Sequence, residues 1–146
     1  MLKSFLVRLL LTGVFACMQQ TLFAQDAIEG LWYNVEKTAK VQIYKAKDGN
    51  FYGKIAWLKE PNEDGKPKVD KKNPDHSKRT QPILGLMLLR GFKKDEDNTY
   101  TDGKIYDPKN GKTYDCKMTL KGEVLDIRGY VGLPAFGRTT SFTRAE

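Results

Sequence analysis

Side chains that commonly carry out catalysis are scarce in this sequence. His76 is the only histidine, and Ser77 directly beside it is poorly placed to face it as a nucleophile. With one histidine, and with Cys116 expected to be buried, the sequence offers no common zinc site. Carboxyl groups are plentiful, but none stands out as a pair for glycoside chemistry. We therefore expect no enzymatic activity, no catalytic residue, no metal and no cofactor.

The remaining candidates are aromatic and arginine side chains. Phe51 and Trp57 share one face of a period-two run, where they would either line an apolar cavity or belong to a filled core. Both alternatives stay open. Arg79 and Arg138 are candidates for the mouth of such a cavity and for the anionic group of a ligand. An ion pair with Asp107 is the favoured alternative use of Arg138.

The elements that must position these residues are short runs in which apolar and polar residues alternate. No run of ten or more residues past position 25 keeps a helical period. Residues 83–93 fit a short helix as well as a strand. The other predicted strands are 31–36, 40–46, 51–58, 99–107, 112–120, 123–131 and 138–144.

Seven or eight antiparallel strands leave two open edges unless the sheet closes on itself. We therefore predict an all-β domain over residues 26–146 that forms a single up-and-down barrel of about eight strands. A β-sandwich is the alternative. The charged, proline-containing segment at about 59–82 is long for a connection in a compact domain. It could cover the open end of the barrel as a lid, or be a mobile, solvated connection.

Residues 1–25 predict export. Two basic residues precede an apolar run at 9–18, which is about half the length of a membrane span, as in a secretory signal peptide. We expect cleavage after Ala24 or Gln25 and a mature protein without a transmembrane span. It would be periplasmic in a Gram-negative cell and extracellular otherwise. Acylation at Cys17, as in a lipoprotein, is a minor alternative.

The charge pattern gives little sign of a nucleic-acid partner. The net charge of +7 falls to +5 without residues 1–25, which contain two basic residues and no acid. Basic and acidic residues also alternate finely at 66–75, which indicates a solvated surface. Cys116 lies between Tyr114 and Met118 on the apolar side of its predicted strand, so we expect a buried packing residue.

Gly30-Leu31-Trp32 resembles the Gly-x-Trp opening of lipocalin-like, or calycin-like, barrels. The resemblance implies that Trp32 plugs the closed end of the barrel and that a basic residue of the last strand covers it. Arg138 and Arg144 are the candidates. Stacking of Arg144 over Trp32 would be a cation–π contact of about 0.5–2 kcal/mol.

The order of several further motifs resembles the exported bacterial family called domain of unknown function 2147. The resemblance implies export and a calycin-like β architecture, and it makes the segment 70–85 an ordered rim or lid. One departure is Gln81, where the family pattern has arginine. The matching pieces are Gly30-Leu31-Trp32, 53–58, 64–67, Asp70 with Asn73-Pro74, Arg79 with 82–85, 103–108 with Gly111 and Tyr114, Arg128-Gly129 and 137–139.

Together these features predict an exported, non-enzymatic barrel that binds a small amphipathic or anionic molecule of the cell envelope. The first alternative is an interaction or scaffold protein of the envelope with a filled barrel. The second is an envelope hydrolase or lyase that uses paired carboxyl groups. The sequence does not define the ligand or the oligomeric state.

Overall fold

The structure is a computed structural model, and it describes residues 24–145. Nearly all regular elements are strands, as the period-two pattern predicts. A 3₁₀ helix lies at His76–Lys78 and a second one at Pro134–Phe136. The strands are β1 (Gly30–Tyr33), β2 (Ala39–Lys45), β3 (Phe51–Leu58), β4 (Asn62–Glu63), β5 (Lys66–Pro67), β6 (Met87–Lys94), β7 (Thr99–Asp107), β8 (Lys112–Lys121), β9 (Val124–Tyr130) and β10 (Arg138–Arg144).

Eight of these strands form one closed antiparallel barrel. Their order around the barrel is β1-β10-β9-β8-β7-β6-β3-β2. Closure is visible at Trp32, which lies opposite Val41 of β2 on one side and Arg144 of β10 on the other. The predicted up-and-down barrel is confirmed, and the sandwich alternative is wrong because the sheet has no free edges. The short strands β4 and β5 pair with each other inside the long β3–β6 connection.

The ambiguous run at 83–93 is mostly strand. β6 begins at Met87, and the residues before it already follow the edge of β3. The N–H of Gly85 donates to the carbonyl of Ile55 at 2.8 Å, and the N–H of Ile55 donates to the carbonyl of Leu86 at 2.9 Å. Backbone pairing with β3 therefore overrides the helical reading of this leucine-rich stretch.

The core fills the barrel interior around the aromatic rings of Phe51, Phe92 and Tyr100, which are all buried. Phe51 meets Tyr100 edge to face, with 5.0 Å between ring centroids. Glycine at position 103 leaves the space that the Phe92 ring occupies, because a Cβ there would collide with it. Cys116 is fully buried, as predicted, and burial raises the pKa of its thiol to about 12.

The closed end of the barrel is sealed by residues 26–29 and by Trp32. Trp32 is fully buried, and its indole N–H donates to the carbonyl of Ile28 at 2.8 Å. The guanidinium carbon of Arg144 lies 4.0 Å from the Trp32 ring centroid, so the predicted cation–π contact is confirmed. Arg144 also donates to the carbonyls of Glu29, at 2.9 Å, and Ala27, at 2.5 Å.

The opposite end, which we call the open end, carries four of the connections between the barrel strands. These are the turns at 34–38 and 108–111, the loop at 131–137 and the long loop at 59–86. The long loop is ordered, but its contacts run along the outer wall of the barrel, as described below. Of the alternatives for this segment, a lid over the barrel end is wrong, and the loop is an ordered connection that packs beside the barrel wall.

The predicted signal peptide and Cys17 lie outside the described residues, apart from Ala24 and Gln25 at the predicted cleavage site. Within residues 24–145, no helix has the length and apolar character needed to cross a membrane. The same residues contain no group of three or more His, Cys, Asp or Glu side chains that could hold a metal ion.

Candidate functional site

Trp57 does not point into the barrel as the alternation predicts. The pairing of β2 with β3 shifts between Lys40 and Val41, so that Val41 faces Ile55 and Lys40 faces Trp57. This β-bulge adds one residue to β3 and turns Trp57 outward. The side chain is 38% exposed, meets Tyr33 edge to face at 6.2 Å, and has the Lys40 ammonium 5.3 Å from its ring centroid.

The other predicted ligand residues are also separated from one another. Phe51 is 1% exposed and belongs to the packed core, so the filled alternative is correct at this position. Arg79 donates from Nε to the carbonyl of Asn73 at 2.8 Å and helps to shape the long loop. Arg138 is exposed at the start of β10, and within residues 24–145 it forms no ion pair with Asp107 or any other acid.

A groove on the outside of the barrel has the features of a ligand site. It lies between the long loop and the outer faces of β6, β7 and β8, and we call it the wall groove. Its volume is about 410 Å³, within the range of small-molecule sites. Among residues 24–145, no Asp or Glu lines it. The lining residues are Asn73, Pro74, Lys78, Gln81, Leu86, Met87, Arg90, Lys104, Tyr106 and Thr113.

Asp70 fixes the loop that forms one side of the wall groove. Its side chain is fully buried and accepts hydrogen bonds from Tyr106 Oη and from Asn73 Nδ2, both at 2.8 Å. Burial and the bond to Asp70 raise the pKa of Tyr106 to about 12, so the phenol stays protonated and keeps donating at neutral pH. One hydrogen bond thus joins the long loop to the barrel wall.

A second contact fixes the same loop against the β7–β8 turn. Gly111 has φ of 73°, and the Lys72 carbonyl oxygen occupies the space of a Cβ at this position. Only glycine fits both the backbone angle and the close approach. Both contacts place the loop segment 70–81 beside β7 and β8.

The wall groove is electropositive because three cationic side chains line it. Arg90 lies directly opposite Lys104 in the β6–β7 ladder, an arrangement that is unfavourable for like charges. The charge of Lys104 is partly offset by an ion pair with Asp115, and the Lys78 ammonium lies 3.8 Å from the Asp75 carboxylate. The side chain of Arg90 has no hydrogen bond or ion pair to any of residues 24–145. Its guanidinium therefore remains available for a planar anion such as a carboxylate or phosphate.

The wall groove continues into a second depression of about 330 Å³, most of whose lining residues are apolar. The two share Gln81, Leu86, Met87 and Arg90, and the second adds Pro82, Leu84 and Gly85. Leu84 is 49% exposed. A molecule that follows this path would have an anionic group near Arg90 and an apolar group over Leu84 and Leu86.

The sequence reasoning missed most of this site. Arg90 lies in a leucine-rich run, and Lys104 and Tyr106 read as the solvent side of an ordinary strand. Two signals were present: the segment 70–85 belongs to the motif set, and Tyr106 lies within the motif at 103–108. Neither signal indicates that the loop meets the outer wall, because residues 70 and 106 are distant in the chain.

The fold, a closed eight-stranded barrel with Trp32 at its sealed end, is lipocalin-like. It resembles the structure of protein HP1028 from the human pathogen Helicobacter pylori, which is described as belonging to the lipocalin family. The TM-score is 0.69 with 24% sequence identity, over 81% of this chain and 82% of the other. Among curated proteins no sequence matches. Residues 30–144 match the family model described as "Uncharacterized protein conserved in bacteria (DUF2147)", and the chain belongs to this family.

Proposed function

We propose that this protein is an exported, non-enzymatic barrel that binds a small molecule with an anionic head and a short apolar part. The observation that carries the proposal is Arg90, a cation that faces Lys104 in the wall groove and has no partner in residues 24–145. The adjoining leucine side chains suit the apolar part of the ligand. A molecule of the cell envelope, such as an acidic lipid or an acylated sugar, fits these requirements.

The filled core favours one alternative, an interaction or scaffold protein whose outer surface does the binding. The side chains of Phe51, Phe92, Tyr100 and Met118 pack together in the barrel interior. Nothing favours the hydrolase or lyase alternative, since the wall groove is lined by no carboxyl group from residues 24–145. A paired-acid mechanism needs two.

Mass spectrometry of protein purified gently from its native envelope tests the proposal first. We expect a co-purifying molecule that carries an acidic group. Titration with octyl phosphate, followed by native mass spectrometry, then tests the site. Arg90→Gln should weaken binding of octyl phosphate by about tenfold or more, because a charge-assisted hydrogen bond is lost.

Arg138→Gln is the matched control because Arg138 is exposed and lies outside the wall groove. We expect it to bind octyl phosphate as the unchanged protein does. Weakening by Arg138→Gln and not by Arg90→Gln would place the ligand at the barrel mouth and refute the wall groove. Absence of any co-purifying molecule together with no binding of octyl phosphate would refute ligand binding itself.

A further inference from the structure

The exposed apolar side chains of this protein are concentrated at one end. Within residues 24–145, every large hydrophobic side chain that is substantially exposed lies in a connection at the open end or in a strand next to one. We call this set the apolar rim: Val35, Trp57, Leu84, Val131, Leu133 and Phe136. The closed end carries no comparable side chain in this part of the chain. Scattered exposed apolar residues need no explanation, but a set confined to one end of a barrel does.

The loop at 131–137 contributes the most exposed members. Val131 is 74%, Leu133 62% and Phe136 79% exposed. The loop is held in shape by Arg128. The Arg128 side chain donates from Nε to the carbonyl of Pro134 at 2.6 Å and from Nη1 to Thr139 Oγ1 at 2.8 Å. These hydrogen bonds hold the loop in a shape that leaves its apolar side chains exposed to water.

Cationic side chains accompany the apolar rim. The stretch 131–138 contains Arg138 and no acid, and the neighbouring turn at 108–112 contains Lys109 and Lys112 and no acid. These two connections are adjacent because β8 pairs with β9. This sector of the open end thus combines three apolar side chains with three cations and one acid, Asp107, which lies opposite Lys112 at the base of the turn.

On the next sector of the rim, aromatic rings and lysines alternate. The Lys40 ammonium lies 4.9 Å from the Tyr33 ring centroid and 5.3 Å from that of Trp57, beside the exposed Val35 turn. Tyrosine, tryptophan and lysine are the residues that occupy the boundary between lipid and water, where rings and alkyl stems are buried and polar ends stay wet.

We propose that the open end docks on a lipid bilayer that contains anionic phospholipids. The apolar side chains of the 131–137 loop insert among the acyl chains near the head groups, and Lys109, Lys112 and Arg138 contact the phosphates. Three of the rim side chains come from the 131–137 loop and the other three from separate places around the open end, which suits a fluid surface. A protein partner would need a matching pocket for each of them. The proposal does not depend on the wall groove being occupied.

Vesicle flotation tests this proposal. The chain without residues 1–25 is mixed with vesicles of phosphatidylcholine that contain about one-third phosphatidylglycerol. We expect the protein to float with these vesicles and to remain below vesicles of phosphatidylcholine alone. The double variant Leu133→Ser, Phe136→Ser should lose about tenfold or more in partitioning, which corresponds to about 1.4 kcal/mol. Its urea unfolding midpoint should stay unchanged because both side chains are exposed.

Matched lysine variants test whether the open end or the closed end of the barrel contacts the vesicles. Lys109→Gln at the open end should reduce binding to the anionic vesicles about fivefold. Lys47→Gln, in the exposed β2–β3 turn at the closed end, should change it less than twofold. As a second readout, a Phe136→Trp variant should show a blue shift of its fluorescence on the anionic vesicles and none on the neutral ones.

Three results would overturn the proposal. The first is a failure to float with either vesicle. The second is binding of the Leu133→Ser, Phe136→Ser variant that equals binding of the unchanged protein, or equal binding of the unchanged protein to vesicles of both lipid compositions. The third is a dimer that forms without lipid in size-exclusion chromatography and is abolished by the same double variant, which would assign the rim to self-association.

Discussion

Arg144 contacts two parts of the closed end with one guanidinium group. One face stacks on Trp32, and the N–H groups satisfy the carbonyls of Ala27 and Glu29. These carbonyls belong to the segment that covers the barrel end, and within residues 24–145 they would otherwise lack hydrogen-bond partners. The side chain therefore couples the last strand to the segment before the first.

We expect Arg144→Ala to lower the free energy of unfolding by about 1–3 kcal/mol, through the lost stacking and the two lost charge-assisted hydrogen bonds. Urea denaturation measures this loss. Arg138→Ala is the matched control on the same strand, where an exposed arginine without a partner in residues 24–145 should change the stability by less than about 0.5 kcal/mol. Equal effects of the two variants would contradict the closing role of Arg144.

At the residue scale, the sequence predicted the contact that a short motif implies. It failed where the placement of a side chain depends on the pairing with a neighbouring strand. The resemblance of Gly30-Leu31-Trp32 to the opening of lipocalin-like barrels implied that a basic residue of the last strand covers Trp32, and Arg144 was one of the two candidates. The placement of Trp57 depends on a bulge opposite Lys40, and no residue type in either strand announces that bulge. A one-residue shift then moved the side chain to the other face.

At the scale of elements, the long loop and the barrel wall form the site jointly. The loop contributes Asp70, Asn73 and Lys78, and the strands contribute Arg90 and Tyr106. Strand boundaries follow from local alternation and turn residues, which is why the barrel could be predicted. The wall groove could not be predicted, because it forms only when the long loop packs against one of several outer faces of the barrel.

Gly111 and Gly132 allow the docking of this loop to be measured. Their φ angles are 73° and 77°, but only Gly111 lies against the Lys72 carbonyl. We expect Gly132→Ala to cost about 1–2 kcal/mol, from backbone strain alone. Gly111→Ala should cost more, because the added Cβ also displaces the loop.

Limited proteolysis is the second measurement of the same pair. Cleavage within residues 66–81 should become faster in Gly111→Ala and stay unchanged in Gly132→Ala. Equal stability and equal cleavage in the two variants would show that the Lys72 contact does not hold the loop.

At the scale of the whole molecule, the two ends of the barrel differ in character. One end is sealed by the chain itself, and its apolar side chains are buried. The other end carries the apolar rim, the wall groove and most of the longer connections. Ligand binding and membrane docking are both proposed for the same end, and the sealed end has a structural role.

Cys116 reports on the integrity of this whole barrel. Its thiol is buried, and its pKa is raised from 9.0 to about 12 by burial. In a Cys17→Ser chain, we expect a thiol reagent at pH 8 to label Cys116 only as fast as the barrel unfolds, and at once in denaturant. The raised pKa also predicts that stability falls as the pH rises from 9 towards 12. Rapid labelling of the native protein would contradict a filled interior.

The pairing of β1 with β10 has a consequence for the biogenesis of the protein. The seam joins Trp32 to Arg144, so the first and last strands must both be present before the cylinder can be completed. During synthesis the amino-terminal strands emerge first. Their unpaired edge then waits for the carboxy-terminal residues, and this interval is when a chaperone would have most to protect.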